Sequence, residues 1–169
     1  MTYRLPAQES RARVTVWREV RRAGALHLQQ SVVAWPDHKE FQAAVDRFRS
    51  VVADVGGETL VLTGDAPGGD DERLIQQWNE ARSAEYTEFA GVCERFLAEI
   101  DHEFEIEKFT LAELEEEESE LKKLEDWHDR IRGRDVHEAA RGPDADAALS
   151  RAVEALERYS SAVFERTQP

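Results

Sequence analysis

The sequence predicts an α+β protein made of two units, a sheet covered by helices followed by an all-helical part. Strand and helix signals alternate over residues 1–66, whereas long helical repeats fill residues 67–169. The charge changes at the same place, from nine Lys/Arg and eight Asp/Glu before it to 13 and 28 after it. Because the turn-rich segment 66–70 separates the two parts, we expect a linker over residues 67–70 and a helical unit over 71–169.

The first unit is predicted to contain a strand, a helix, a long or split strand, a second helix and a closing strand. Polar residues in the middle of the third segment indicate a kink or a tight junction between two strands. The second helix is predicted to open at an Asp with a Glu three residues later, which is a variant of the capping box. The segments are, in order, Thr2–Leu5, Ser10–Ala23, Leu26–Trp35, Asp37–Val55 and Glu58–Thr63.

This order is typical of a ferredoxin-like sandwich, in which helices cover one face of a small sheet. The first strand, Thr2–Leu5, is shorter than such a sheet usually requires. We therefore expect it to be either an edge fragment or the end of a strand that starts upstream of Met1.

Three amphipathic helices are predicted in the second unit. The first runs from about Asp71 to Glu105, the second begins at the capping box of Thr110 and Glu113, and the third covers about Asp144 to Glu165. Each needs the others to bury its apolar stripe. We therefore expect an antiparallel hairpin with a third helix against it, that is, a three-helix antiparallel bundle.

Composition excludes several classes of function. A formal net charge of −14 argues against a protein that coats nucleic acid through its overall charge, so any such contact needs a local basic patch. A single cysteine, Cys93, excludes an internal disulfide framework and a thiolate zinc site, and we interpret it as a packed small side chain. Neither a secretory signal nor a long apolar run is visible, so we expect a cytoplasmic protein without a membrane partner.

Two Glu-x-x-His pairs, Glu99/His102 and Glu125/His128, have the spacing used by di-iron helical proteins. Antiparallel pairing about a loop near Lys108 places His128 beside Phe89, about 20 Å along the axis from His102. The two pairs therefore cannot share one metal centre, and we interpret them as surface coincidences.

A run of glutamates over residues 113–120 is interpreted as a solvated half-helix. No metal, cofactor or catalytic residue is predicted anywhere in the chain.

Arginines of the first helix are the candidate binding residues. Arg11, Arg18 and Arg22 are seven and eleven residues apart and share one helix face, and Arg4 precedes them. Such a face can hold phosphates or another oxyanion. The alternative is a solvated face, or one whose arginines form salt bridges to the acidic helical unit of the same chain.

A second arginine set comprises Arg130, Arg132 and Arg134. The same antiparallel pairing places these residues beside Arg82 and Glu85. An oxyanion pocket is one interpretation. We favour the other, a structural Arg–carboxylate network with Glu85 and Asp135 that fixes the junction between the two units, since arginine forks suit both uses.

Short motifs in a fixed order resemble the N-terminal domain of ChrB, the chromate-resistance regulatory protein. The resemblance extends over nearly the whole chain. The motifs are Tyr3-Arg4-Leu5-Pro6, Arg13-Val14, Val16-Trp17-Arg18, Gly24-Ala25, residues 28–32, Gly56-Gly57-Glu58, residues 81–86, residues 108–116 and residues 131–135.

The resemblance implies a non-enzymatic bacterial module that controls transcription of a chromate-efflux operon. It implies operator DNA or chromate as ligands of the arginines, and a separate C-terminal ChrB-type protein as a partner. A homodimer through an open sheet edge is also expected.

The first unit is also similar in pattern to the ferredoxin-like domain of PaaX-type repressors and to a small CRISPR adaptation endonuclease. That nuclease family places a metal-binding Asp at the end of the first strand, where this chain has Arg4-Leu5-Pro6, so nuclease activity is not expected. A protein–protein interaction module that uses the acidic helical unit remains the alternative function.

Overall fold

The computed structural model describes residues 1–6 and 10–167. Within them the chain is mixed and mostly helical, with five α-helices and a four-stranded antiparallel sheet, which agrees with the predicted combination of helices and strands. Its contacts divide into two compact units, Met1–Trp78 and Asn79–Pro169. Each unit is described separately below.

The sheet of the first unit has the strand order β2-β3-β1-β4, and every neighbouring pair is antiparallel. Because β1 lies between β3 and β4, the expectation of an edge fragment is wrong. Its short length is offset by hydrogen bonds on both sides. The strands are β1 (Thr2–Arg4), β2 (Leu26–Gln29), β3 (Val32–Ala34) and β4 (Glu58–Leu60).

A tight junction, and not a kink, separates β2 from β3. Ser31 has a φ of 64°, and its carbonyl accepts a hydrogen bond of 3.0 Å from the backbone N–H of Tyr3. The polar residues in the middle of the predicted long strand therefore mark a hairpin turn, which is one of the two outcomes that the sequence left open.

Two helices of the first unit, α1 (Ser10–Arg22) and α2 (Gln42–Asp54), share a core with one face of the sheet. The predicted cap at Asp37 is wrong, because a single 3-10 turn, Lys39–Phe41, leads into α2 instead. The residues before Ser10 that could cap α1 lie outside the described part. The buried core side chains are Val16, Val20, Val33, Phe48 and Val52.

The first two turns of the long helix α3 (Asp70–Glu105) belong to the first unit. Trp78 is fully buried there, and its ring packs edge-to-face on Phe41 at a centroid distance of 5.2 Å. The division between the units therefore lies within α3, after the predicted linker at residues 67–70.

The second unit comprises the rest of α3 together with α4 (Leu111–Arg132) and α5 (Gly142–Thr167). The predicted cap of α4 is confirmed, since the Thr110 hydroxyl accepts a hydrogen bond of 3.2 Å from the backbone N–H of Glu113. The rings of Phe89 and His128 are 5.3 Å apart, as antiparallel pairing of α3 with α4 predicted. Side chains from all three helices form one apolar core.

Candidate functional site

A groove of about 600 Å³ lies in the first unit beside α1, and we refer to it as the α1 groove. Three segments form it: the end of β1, the outward face of α1 and the turn between β2 and β3. The residues that line it are Tyr3, Arg4, Leu5, Arg13, Val14, Trp17, His27, Gln30 and Ser31.

Trp17 is the most prominent side chain of the α1 groove. It is 58% exposed, because it lies one position away from the buried stripe of Val16 and Val20. The guanidinium of Arg21 stacks over its ring at 5.6 Å from the centroid. A large exposed indole bordering a polar groove provides a flat surface on which another planar group can stack.

The lining of the α1 groove is cationic. It includes Arg4 and Arg13, together with the titratable His27, and none of the described residues that line it is acidic. Arg4 also forms an exposed ion pair of 2.7 Å with Glu58 on β4. Two guanidinium groups that border one groove favour an anionic ligand.

The predicted arginine face of α1 lies elsewhere on the helix. Arg11 and Arg18 are exposed, and among the residues that the structure describes neither takes part in an ion pair. Arg18 is rotated by about 100° from Trp17, since each helical residue turns by that angle. The structure therefore does not place Arg4 on the same surface as Arg11 and Arg18.

Arg22 is held differently from the other two arginines of that face. Its Nε donates to the carboxylate of Glu19 at 3.0 Å, and Arg47 of α2 donates to the same carboxylate at 3.2 Å. Glu19 is only 6% exposed, so this pair of arginines compensates a buried charge. Part of the predicted face is thus neutralised within the first unit, by Glu19 of α1 and not by the acidic helical unit that the alternative interpretation named.

The second arginine set belongs to a network in the second unit. Arg134 is 2.8 Å from the Glu85 carboxylate, and Arg82 reaches the same carboxylate at 3.2 Å. Burial lowers the pKa of both guanidinium groups. The antiparallel pairing predicted this proximity, and the contact with Glu85 agrees with the structural interpretation.

Arg132 and Arg130 differ from Arg134 in their surroundings. Both are exposed, but Arg132 hydrogen-bonds Tyr86, which raises the pKa of the guanidinium. Tyr86 donates to Asp135 at 3.1 Å, and burial raises its own pKa to about 12. The Asp135 carboxylate therefore belongs to the same network, as predicted.

His128 corrects one prediction from the sequence. It is 9% exposed and lies 2.8 Å from a carboxylate oxygen of Asp146 on α5, so this Glu-x-x-His pair is not a surface coincidence. His102 is exposed, as expected. Within the described residues, no three His, Cys, Asp or Glu side chains are grouped so that they could hold a metal ion.

Two further interpretations can be compared with the structure. Cys93 is fully buried, which confirms a packed side chain, and burial raises the pKa of its thiol to about 11. Most of the glutamate run is exposed, but Glu117 is only 6% exposed and its pKa is raised to about 7, first of all by burial. The solvated half-helix was therefore the wrong interpretation for this one residue.

The α1 groove was missed at the sequence level. Helix spacing groups Arg11, Arg18 and Arg22, and it does not bring Trp17 together with Arg13 and Arg4. The available signal was that Trp17 falls off the spacing of Val16 and Val20. No sequence signal indicated that the β2–β3 turn lines the groove, because that position depends on the strand order of the sheet.

None of the helices in the described part of the chain combines the length and the apolar character needed to span a membrane.

No curated protein and no solved structure matches the chain. A family model described as "Protein ChrB, N-terminal" matches residues 13–169, which is essentially the whole chain. The chain therefore belongs to the ChrB N-terminal family, which points to a module of the chromate-resistance regulator type.

Proposed function

We propose that this protein is a non-enzymatic regulatory module of chromate resistance that contacts operator DNA, or an oxyanion, through arginines of α1. The observation that carries the proposal is the exposure of Arg11 and Arg18 on one helix face without an ion pair among the described residues. A fixed guanidinium attracts phosphate strongly when no protein carboxylate competes for it. Family membership supports the regulatory role.

We also propose that the first unit is a ferredoxin-like sandwich and that the second is a three-helix antiparallel bundle. The order β1-α1-β2-β3-α2-β4 and the antiparallel sheet order β2-β3-β1-β4 support the first assignment. The common core of α3, α4 and α5 supports the second.

Neutralising the exposed arginines tests the DNA contact. We expect Arg11→Gln combined with Arg18→Gln to weaken binding to duplex DNA from upstream of the operon. The slope of log affinity against log salt should become shallower by about two, because each lost phosphate contact lowers it by about 0.9. Fluorescence anisotropy over a salt series, with and without chromate, measures both quantities.

A matched pair of exposed arginines in the second unit, Arg95→Gln with Arg158→Gln, controls for the overall change in charge. This control should leave the salt slope close to that of the unmodified protein. Equal losses for the two double variants would contradict the proposal. Calorimetric titration with chromate, in the same proteins, tests the oxyanion form of the contact.

A protein–protein interaction module is the second candidate, and one edge of the sheet favours it. β4 is an edge strand, and Leu60, Val61 and Leu62 at its end are 57%, 42% and 68% exposed. Three consecutive exposed apolar residues at an unpaired edge favour pairing with another chain. A second copy of this chain is the simplest partner.

Light scattering tests the pairing. We expect the unmodified protein to be a dimer, and we expect Leu62→Glu to yield a monomer, since two buried carboxylates would repel each other at the paired edge. Leu111→Glu, at a similarly exposed position in the second unit, should leave the mass unchanged. A monomeric unmodified protein would rule out a second copy of this chain as the partner.

A further inference from the structure

We propose that the α1 groove binds a nucleotide, with the base stacked on Trp17 and the phosphate held by Arg13 and Arg4. This inference goes beyond the regulatory proposal, because it assigns a ligand class to a surface other than the one that carries Arg11 and Arg18. It rests on the size, the aromatic wall and the charge of the groove.

The size of the groove suits a nucleotide. Ligand sites in proteins usually measure about 300–1,000 Å³. At about 600 Å³ the α1 groove accommodates a base, a sugar and a phosphate together, and a lone tetrahedral oxyanion would leave most of it empty.

The aromatic wall accounts for the base. Trp17 exposes 58% of its surface, and Val14, one turn away, is 46% exposed. Removing apolar surface from water is favourable, so a planar ligand that covers both side chains binds more tightly for it. Stacking of this kind tolerates any base, because every base has a π-face.

The polar side of the groove accounts for the rest of the ligand. Arg13 lies one turn before Trp17 on α1, and Arg4 lies at the end of β1, so two guanidinium groups border the same space. Since Arg4 is also paired with Glu58, the phosphate is assigned to the two guanidinium groups together. Gln30 and Ser31 of the turn offer donors and acceptors to the edge of a base.

A nucleotide of this kind has two sources, a free mononucleotide or one unit of a single-stranded nucleic acid. The stacking and phosphate contacts are the same for both. Two probes distinguish them: AMP, titrated by calorimetry, and a fluorescent eight-nucleotide single-stranded DNA, titrated by anisotropy. A duplex of the same sequence serves as a third arm.

Substitution of Trp17 in the full chain tests the site. We expect Trp17→Ala to weaken binding of the probe by about tenfold or more, as the loss of one stacked base does. Trp17→Phe, which keeps a ring, should retain most of the affinity, and Arg13→Gln should weaken it as well. Phe164→Ala, a matched exposed aromatic on α5, should have no effect. Since Trp17 is exposed, circular dichroism should show an unchanged fold.

Binding of AMP assigns the groove to a free nucleotide, and binding of the single strand alone assigns it to nucleic acid. The inference is overturned if neither probe binds at millimolar concentration, or if Trp17→Ala binds as well as the unmodified protein. Duplex binding that depends on Arg11 and Arg18 but not on Trp17 would overturn this inference and leave the proposed function standing.

Discussion

Replacing Glu85 by Gln should lower the free energy of unfolding by about 2–4 kcal/mol. The side chain of Arg82 is 3% exposed and that of Arg134 is 16% exposed, and both guanidinium groups contact the Glu85 carboxylate. Removing one member of a buried ion pair leaves the other charge uncompensated, which costs about 3–5 kcal/mol when burial is complete. Asp135 remains nearby, and Glu85 is 25% exposed, so the expected cost is somewhat smaller.

Urea denaturation followed by circular dichroism measures this effect. The matched control is Glu94→Gln, which breaks an ion pair between α3 and Arg151 of α5. Both partners of that pair are more than half exposed, so the control should lose less than about 1 kcal/mol.

A second variant separates the loss of the charge pair from a general disruption. Combining Glu85→Gln with Arg134→Met removes one of the two cations that lose their carboxylate. The double variant should therefore recover part of the lost stability. If Glu85→Gln is no less stable than Glu94→Gln, the buried ion pairs of Glu85 contribute no more to stability than the exposed pair of Glu94. That result would contradict the prediction.

The contacts of Arg134 could be predicted from the sequence, whereas those of Trp17 could not. A helical hairpin with a short loop fixes which residues are neighbours, so simple counting from Lys108 placed Arg134 beside Glu85. The α1 groove needs residues from β1, α1 and the β2–β3 turn, which are distant in sequence and meet only because β1 lies next to β3. Strand order is set by packing of the whole unit, and local patterns do not encode it.

The burial of two polar side chains of α4 was also not expected from the sequence. His128 and Glu117 lie at the spacing of the buried stripe of α4, and each is less than a tenth exposed. The spacing therefore placed them inside, and only their polar character led to the expectation of a surface position. The other members of the stripe are Leu114, Leu121, Leu124 and Ile131. The reason for His128 is Asp146, which lies on a third helix and cannot be paired with it by counting along a hairpin. The surroundings of Glu117 likewise include residues of another helix, Glu99 and Glu103 of α3, in addition to those of α4.

Glu117→Gln should stabilise the protein above pH 7 and change little below pH 4.5. Burial, followed by nearby carboxylates, raises the pKa of Glu117 from its ordinary 4.5 to about 7 in the folded protein. Between these two values the folded state keeps a proton that the unfolded state has released. Stability therefore falls as pH rises through this window and is constant above it. The groups that surround Glu117 are Glu99 and Glu103 of α3, Glu113 and Glu116 of α4, and Tyr159 of α5.

The expected gain at pH 8 is about 1–3 kcal/mol, since each unit of pKa shift corresponds to about 1.4 kcal/mol. Glutamine mimics the protonated acid in shape and carries no charge, so the variant keeps at pH 8 the stability that the unmodified protein has only at low pH. Glu118→Gln, at the exposed position next along α4, should lie within about 0.5 kcal/mol of the unmodified protein at both pH values. Urea denaturation of the three proteins at pH 4.5 and pH 8 measures these free energies of unfolding. If Glu117→Gln is no more stable than the unmodified protein at pH 8, then ionising Glu117 costs little free energy. Burial and the neighbouring carboxylates would then not raise its pKa as described.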